Sequence, residues 1–385
     1  MFVLAAVALA YVIWPLRQPE REWNDFAWIF VAGRAWWQGV SPYDFVGWAE
    51  IWNAVPVTFS TDPITQPYMY PPHWVVIALP ISLFSLEWAT RLWDAINVIA
   101  LLATFWFMAQ RRFPNLVLVL IIAALLNGSV RYALWESQMS FVPTLAVVVA
   151  FWAWPQQKTA LIAVCTFFAM LKPQIGTLPL AFLLLNGAHA GVGIGAAALL
   201  LVSIASLLPA GIGNVPALYA DCVARHMAAE FNELSTFSNV SALWPVASFT
   251  TVGPVVGFGW IAWLSYLRRR EPSLDPSWFL LMVVAAIPAF MPLHAYDFVL
   301  YTPLVIGCAM IKPRSIAVVM ILLVQVLGRV HVLEGASGFR PIAPLLTVGL
   351  AVLALIALNA ALAEKRVGAP LRDAEPNQVP FGESS

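Results

Sequence analysis

Twelve apolar runs recur along the chain and leave it little choice of fold. They lie near 1–16, 88–110, 115–132, 139–154, 159–171, 175–187, 189–209, 250–267, 277–292, 297–311, 315–329 and 341–363. Inside a bilayer each backbone N–H and C=O must be satisfied within the protein, so such runs are expected as helices. Composition agrees. Of 385 residues, 61% are hydrophobic and 10% charged, with a mean hydropathy of +0.80; a soluble domain is about 25% charged. The expectation is an all-α polytopic membrane protein, a single integral domain over 1–363, followed by a polar, disordered cytoplasmic tail over 364–385. Segment 74–87, broken by Pro80, reads either as a thirteenth span or as a half-inserted hairpin. The first run has no basic start, so it reads as an uncleaved span rather than a signal peptide. It is short for a crossing, which suits a clipped start.

Basic residues set the direction. With twelve spans and the N-terminus inside, the inward loops hold Arg111, Arg112, Lys158, Arg268, Arg269, Arg270, Lys312 and Arg314. Short inward loops rich in Lys and Arg are the usual arrangement. Two outward segments are then long, about 17–87 and 210–249. Net charge is zero, which supplies no field for nucleic acid. Cys165, Cys222 and Cys308 are scattered without metal-ligand spacing. The chain has no Walker A loop, GxGxxG, GxSxG elbow or HExxH, so soluble nucleotide and zinc-hydrolase chemistry lack their usual tools. No metal site is expected.

The polar residues that remain fall on one side of this topology. Asp25 opens the stretch NDFAWIFVAGRAWWQGVSPYD, in which Asn24 suits a helix start and Gly39 a helix stop. Phe26, Ile29, Phe30, Gly33, Trp36 and Trp37 follow helical spacing, so an amphipathic helix lying on the membrane surface is expected. Asp25 then either complements the helix dipole or does chemistry. On the same side lie YMYPPHW (68–74), RYALWESQMSF (131–141), LKPQ (171–174), the loop around Asn239, and PLHAYDF (292–298). Charges at membrane depth are costly and are usually paired or functional. Each has a plainer reading as well. Lys172 suits a snorkelling interfacial lysine, Arg131 and Glu136 a local ion pair, and His73 a structural role. His294 and Asp297 have the spacing of a metal pair but lack a third ligand nearby.

The ordered set of Asp25, AGRAWWQGVSPYD, YPP, NGSVRYALWESQMSF and LKPQ resembles glycosyltransferase family 87, the polyprenyl-phosphate-mannose-type enzymes of the GT-C superfamily. The likeness runs over roughly 20–190. One departure is clear: the family often has Gly-Gln where this chain has Ser137-Gln138. The resemblance implies a GT-C-like bundle of about twelve transmembrane helices with interfacial helices on an outward loop. It implies an inverting transfer of a hexosyl group, mannosyl first, from a polyprenyl-phosphate sugar to an acceptor hydroxyl of a glycolipid or glycan. The site would face the periplasm or exterior of a plasma membrane, among membrane lipids and with no cofactor. Asp25 would be the general base, with Lys172, Arg131 and His294 on the lipid phosphate. Tyr43, Trp36, Tyr70, Gln138, Gln174, Asn239 and Asp297 would line the substrates.

Two other classes compete. A secondary transporter or lipid flippase also keeps ionisable groups within its membrane domain, but nearer the midplane and commonly with inverted repeats, which this chain does not show. A scaffold without chemistry would use its charges only to set topology.

Overall fold

A computed structural model describes residues 2–17, 24–55, 68, 70–109, 114–208, 217–222, 249–291, 293, 295–312, 314–329 and 342–367. Regular structure among the described residues is helical throughout. Among the described residues three helices are long and apolar enough to cross a membrane: Leu86–Ala109, His189–Leu207 and Leu345–Lys365. A bent pair, Leu116–Leu125 with Gly128–Trp135, makes a fourth. Most other expected spans are apolar helices of 10–17 residues. At 1.5 Å per residue these are shorter than a hydrocarbon core of about 30 Å.

The N-terminal elements are α1 (Phe2–Ile13), α2 (Asn24–Trp37), α3 (Phe45–Ala54) and, after one 3-10 turn at Pro72–Trp74, α4 (Val75–Ile81). Segment 74–87 is thereby resolved: its helix stops at Ile81, too short to cross, and Leu83 and Phe84 face outward before α5 (Leu86–Ala109) begins. There follow α6 (Pro114–Leu125), α7 (Gly128–Trp135), α8 (Phe141–Ala153), α9 (Thr159–Ala169), α10 (Pro173–Leu185) and α11 (His189–Leu207). The last part comprises α12 (Phe249–Arg270), α13 (Pro276–Phe290), a 3-10 stretch Ala295–Tyr301 leading into α14 (Thr302–Gly307), α15 (Arg314–Leu327) and α16 (Ile342–Val367). Helix starts follow local chemistry. Asp44 caps α3 through Val46 N, and Asp275 caps α13 through Ser277 N with Pro276 at the first position. The last helix runs to Val367, past the expected tail boundary at 364; on it Lys365 lies 3.4 Å from Glu271 and Glu364 3.7 Å from Lys312.

Two cores result. Most helices pack around one apolar core that runs through α5, α8, α10 and α13. A second, aromatic-rich core is built by α2, α3, α4 and the first half of α5. In it Trp28 stacks on Trp48 at 5.7 Å and lies 4.5 Å from Trp52.

The surface-helix expectation for α2 is overturned. Phe26, Ala27, Ile29, Val31, Ala32 and Ala35 are fully buried, and only its last turn is open, with Trp37 56% exposed. The cause is Gly33, where an added Cβ would stand 2.1 Å from the Ala78 carbonyl oxygen. Backbone meets backbone there, so α4 roofs over a helix that composition alone would float on the membrane. The helix ends as expected, with Gly39 at φ +72°.

Polar side chains gather at opposite ends of the helices. At one end Trp154 Nε1 donates to the Asn186 carbonyl at 3.0 Å, Asn186 to Ser265 at 2.9 Å, and Arg269 to the Leu185 carbonyl at 3.2 Å. At the other, where α8 and α10 begin, lie Asp25, Gln138, Ser140, Lys172 and Asp297.

Candidate active site

Asp25 stands in the first turn of α2, half-buried, and accepts a hydrogen bond from Gln138 Nε2. This partner comes from far along the chain, so the carboxylate does more than complement its own helix. Gln138 is fully buried. Its Nε2 is committed to Asp25, and its Oε1 has no hydrogen-bond partner. Buried polar atoms are nearly always satisfied, so an orphan acceptor beside a carboxylate marks a place for a ligand donor.

The turn that presents Gln138 is strained. Ser137 has φ +50°, in the left-handed region that glycine adopts without penalty. In this chain the conformation is held from α5. Ser137 Oγ donates to Asp94 Oδ1 at 3.0 Å, and Trp93 Nε1 donates to the Ser137 carbonyl at 3.0 Å.

Lys172 lies beside this turn, 8% exposed, just before α10. It pairs with Asp297 at 2.5 Å and donates to Ser140 Oγ at 3.1 Å, and Ser140 in turn donates to Asp297. Lys172 is therefore neither snorkelling nor open to a ligand in this state. Its position is set by YPPHW. His73 Nε2 meets the Met170 carbonyl at 2.9 Å and Trp74 Nε1 donates to the Leu171 carbonyl at 2.8 Å, fixing the two residues that precede the lysine. Tyr43 fixes YPPHW in its turn, its hydroxyl donating to the Tyr70 carbonyl at 2.7 Å. Tyr43 is fully buried and so anchors the loop. Burial, with the negative charges of Asp25 and Asp297 nearby, pushes the Tyr70 hydroxyl well above its ordinary range and keeps it a neutral donor. One phenol thus senses both carboxylates.

Arg131 is placed differently from Lys172. The α6–α7 helix breaks by 51° at Asn127, whose side chain caps α7 through Ser129 N and donates to the Val324 carbonyl at 2.8 Å. The close approach of Gly128 to the Gly328 carbonyl brings Arg329 alongside. Arg131 and Arg329 line one cavity of about 320 Å³ together with Tyr11, Asn127, Tyr132 and Trp135. Arg131 donates to the Tyr11 hydroxyl at 2.6 Å and lies over that ring at 4.6 Å, so the expected local pair with Glu136 does not form.

Trp36 is 8% exposed, edge-on to Tyr68, with Nε1 unpartnered. Gln174 is half-buried in the first turn of α10, with Oε1 unpartnered. His294 and Asn239 lie outside the described residues. Among the described residues no group of three His, Cys, Asp or Glu side chains has metal-site geometry. The site thus unites Asp25 with Gln138, and Lys172 with Asp297, while Arg131 keeps to its own cavity. Sequence reasoning passed over Asp94, Asn97, Ser140 and Arg329. The signal for the first two was present: a carboxylate and an amide three residues apart within an apolar span.

The family model for glycosyltransferase family 87 matches residues 68–295, more than half of the chain. The chain belongs to glycosyltransferase family 87. It is accordingly a membrane glycosyltransferase of GT-C type. The match extends well beyond the motif likeness at its C-terminal side. It begins after Asp25, so the carboxylate's role rests on its motif and its contact with Gln138. Comparisons with curated proteins and with solved structures gave no match.

Proposed function

We propose that this family 87 enzyme transfers a hexosyl group, mannosyl first, from a polyprenyl-phosphate sugar to an acceptor hydroxyl at the outer face of a plasma membrane, with inversion. The observation that carries the reading is the half-buried Asp25 carboxylate held by Gln138 beside an unfilled acceptor. In the step, the acceptor oxygen attacks the anomeric carbon as the bond from that carbon to the phosphate oxygen breaks. The acceptor proton passes to Asp25, and polyprenyl phosphate departs with the bonding pair. Its leaving group is one lipid phosphate, so the reading needs no metal or other cofactor.

The cations divide between two tasks. Arg131 and Arg329 line an open cavity beside α7, the helix that leads to Gln138, and suit the anionic phosphate of the donor. Lys172 would have to release Asp297 before it reached a phosphate, so it acts first as the partner that fixes Asp297. The acceptor is a glycolipid or glycan hydroxyl. Segregation of polar groups to two helix ends supports a bundle whose Asp25 end faces outward and whose Arg268 end faces inward.

The test is transfer by the purified full chain from polyprenyl-phosphate-mannose, -glucose and -arabinose to a membrane lipid extract, with product mass and anomeric configuration read out. A mass gain of one hexose and an inverted anomer are expected. Transport of lipid or solute without any glycosyl product would refute the reading in favour of a transporter.

A further inference from the structure

The apolar span α5 carries three polar or semi-polar side chains on adjoining positions, Trp93, Asp94 and Asn97, all 4% exposed or less. All three are used on the same two residues. Trp93 Nε1 donates to the Ser137 carbonyl at 3.0 Å, Asp94 accepts from Ser137 Oγ at 3.0 Å, and Asn97 Nδ2 donates to the Gln138 carbonyl at 2.8 Å. Membrane spans rarely bury such groups without a task. Here the task is a serine at φ +50°. Trp93 also stacks on Phe26, the neighbour of Asp25, at 5.9 Å. One tryptophan therefore references both halves of the Asp25–Gln138 contact to one helix.

We propose that Trp93, Asp94 and Asn97 are positioning residues that hold the Ser137–Gln138 turn so that Gln138 aims and stabilises the Asp25 carboxylate. The inference rests on the transferase reading for its kinetic consequence, though the clamp itself is tested without turnover. None of the three needs to touch substrate. They act through Gln138, whose amide donor fixes the carboxylate and favours its charged form.

Asn97→Leu is the sharpest variant. It is close to isosteric, and it also removes Asn97 Oδ1, which is buried without a partner, so folding is expected to survive. Asp94→Leu and Asp94→Asn form a second pair, since the asparagine still accepts the Ser137 hydroxyl. Misplacement of a reacting group by about 1 Å costs on the order of 100-fold. Asn97→Leu and Asp94→Leu are expected to lower kcat by about 10- to 100-fold, with donor KM within about threefold. The acid limb of the kcat/KM profile should move to higher pH as the carboxylate loses its donor. Tyr70, which faces both Asp25 and Asp297, stays neutral across that range, and the limb is read in Asn97→Leu, which leaves the charges of Asp94, Lys172 and Asp297 in place. Asp94→Asn should keep most of the activity. Unchanged kcat in Asn97→Leu, or losses that follow the folded fraction with the acid limb unmoved, would overturn the proposal. Hydrogen exchange of the 137–140 amides is measured in parallel. If the wild-type chain transfers no sugar, the transferase reading fails, and exchange alone decides the clamp: faster exchange in Asn97→Leu supports it and unchanged exchange overturns it.

Discussion

Removing one member of the Lys172–Asp297 pair should be among the most destabilising single changes outside the apolar cores. The two charges approach to 2.5 Å with side chains 10% and 1% exposed. At an effective dielectric of about 20, their gross attraction is roughly 7 kcal/mol. Desolvation takes most of that back, so the pair itself adds little net stability. Deleting one partner is another matter, because the other charge then stays buried without its short ion pair, at a cost of about 3–5 kcal/mol. Against a total stability of about 5–15 kcal/mol, such a loss is severe. Lys172→Met and Asp297→Leu should each lower the midpoint of thermal unfolding in detergent by many degrees. The double variant should recover most of the loss, since two apolar side chains replace two charges. A coupling of at least about 2 kcal/mol is expected from the cycle. Additive losses, with the double variant as unstable as the sum of the singles, would refute the pairing and with it the placement of the loop before α10.

Three further outcomes follow from local geometry. Ser137→Gly should cost less than about 1 kcal/mol, since relief of the left-handed strain offsets the lost bond to Asp94, whereas Ser137→Val should cost about 2–3 kcal/mol by losing that bond and adding a β-branch at positive φ; denaturant midpoints compare them. Gly33→Ala should cost about 1–3 kcal/mol and lower transfer, because the new methyl would force α2, and Asp25 with it, away from α4; thermal midpoint and turnover of the same preparation read both effects. Arg329→Gln should raise donor KM by about tenfold, in line with loss of a charge-assisted bond of about 1.5 kcal/mol, while leaving the unfolding midpoint within about 1 °C.

The helical class was legible in the sequence, and so was the placing of Asp25 and Gln138 on one side of the bundle, for different reasons. Apolar runs 88–110 and 189–209 became α5 and α11 almost residue for residue, because length and hydropathy alone decide such helices. Gly39 stopped α2 where expected, since a left-handed turn is a local demand. What escaped was everything set by contact between distant segments. The α2 helix looked like a surface float because its apolar face and its composition are visible, while the close approach of Gly33 to Ala78 is not. The span at 115–132 hid a break at Asn127, whose partner Val324 lies 197 residues further on. Lys172 stood out as a charge beside an apolar run, yet its partner, Asp297, is 125 residues away. Asp94 and Asn97 were visible as polar intruders in an apolar run, and only the fold revealed the strained serine they serve.

Turnover of Asp25→Asn tests the central claim most directly. The substitution keeps size and the capacity to meet Gln138, but it removes the group that takes the acceptor proton. The account predicts that the variant inserts, folds and binds donor as the wild-type chain does, with transfer lower by about 100- to 10,000-fold, the span a general base contributes. Turnover within a few-fold of wild type in a folded preparation would contradict it and remove Asp25 from the chemistry.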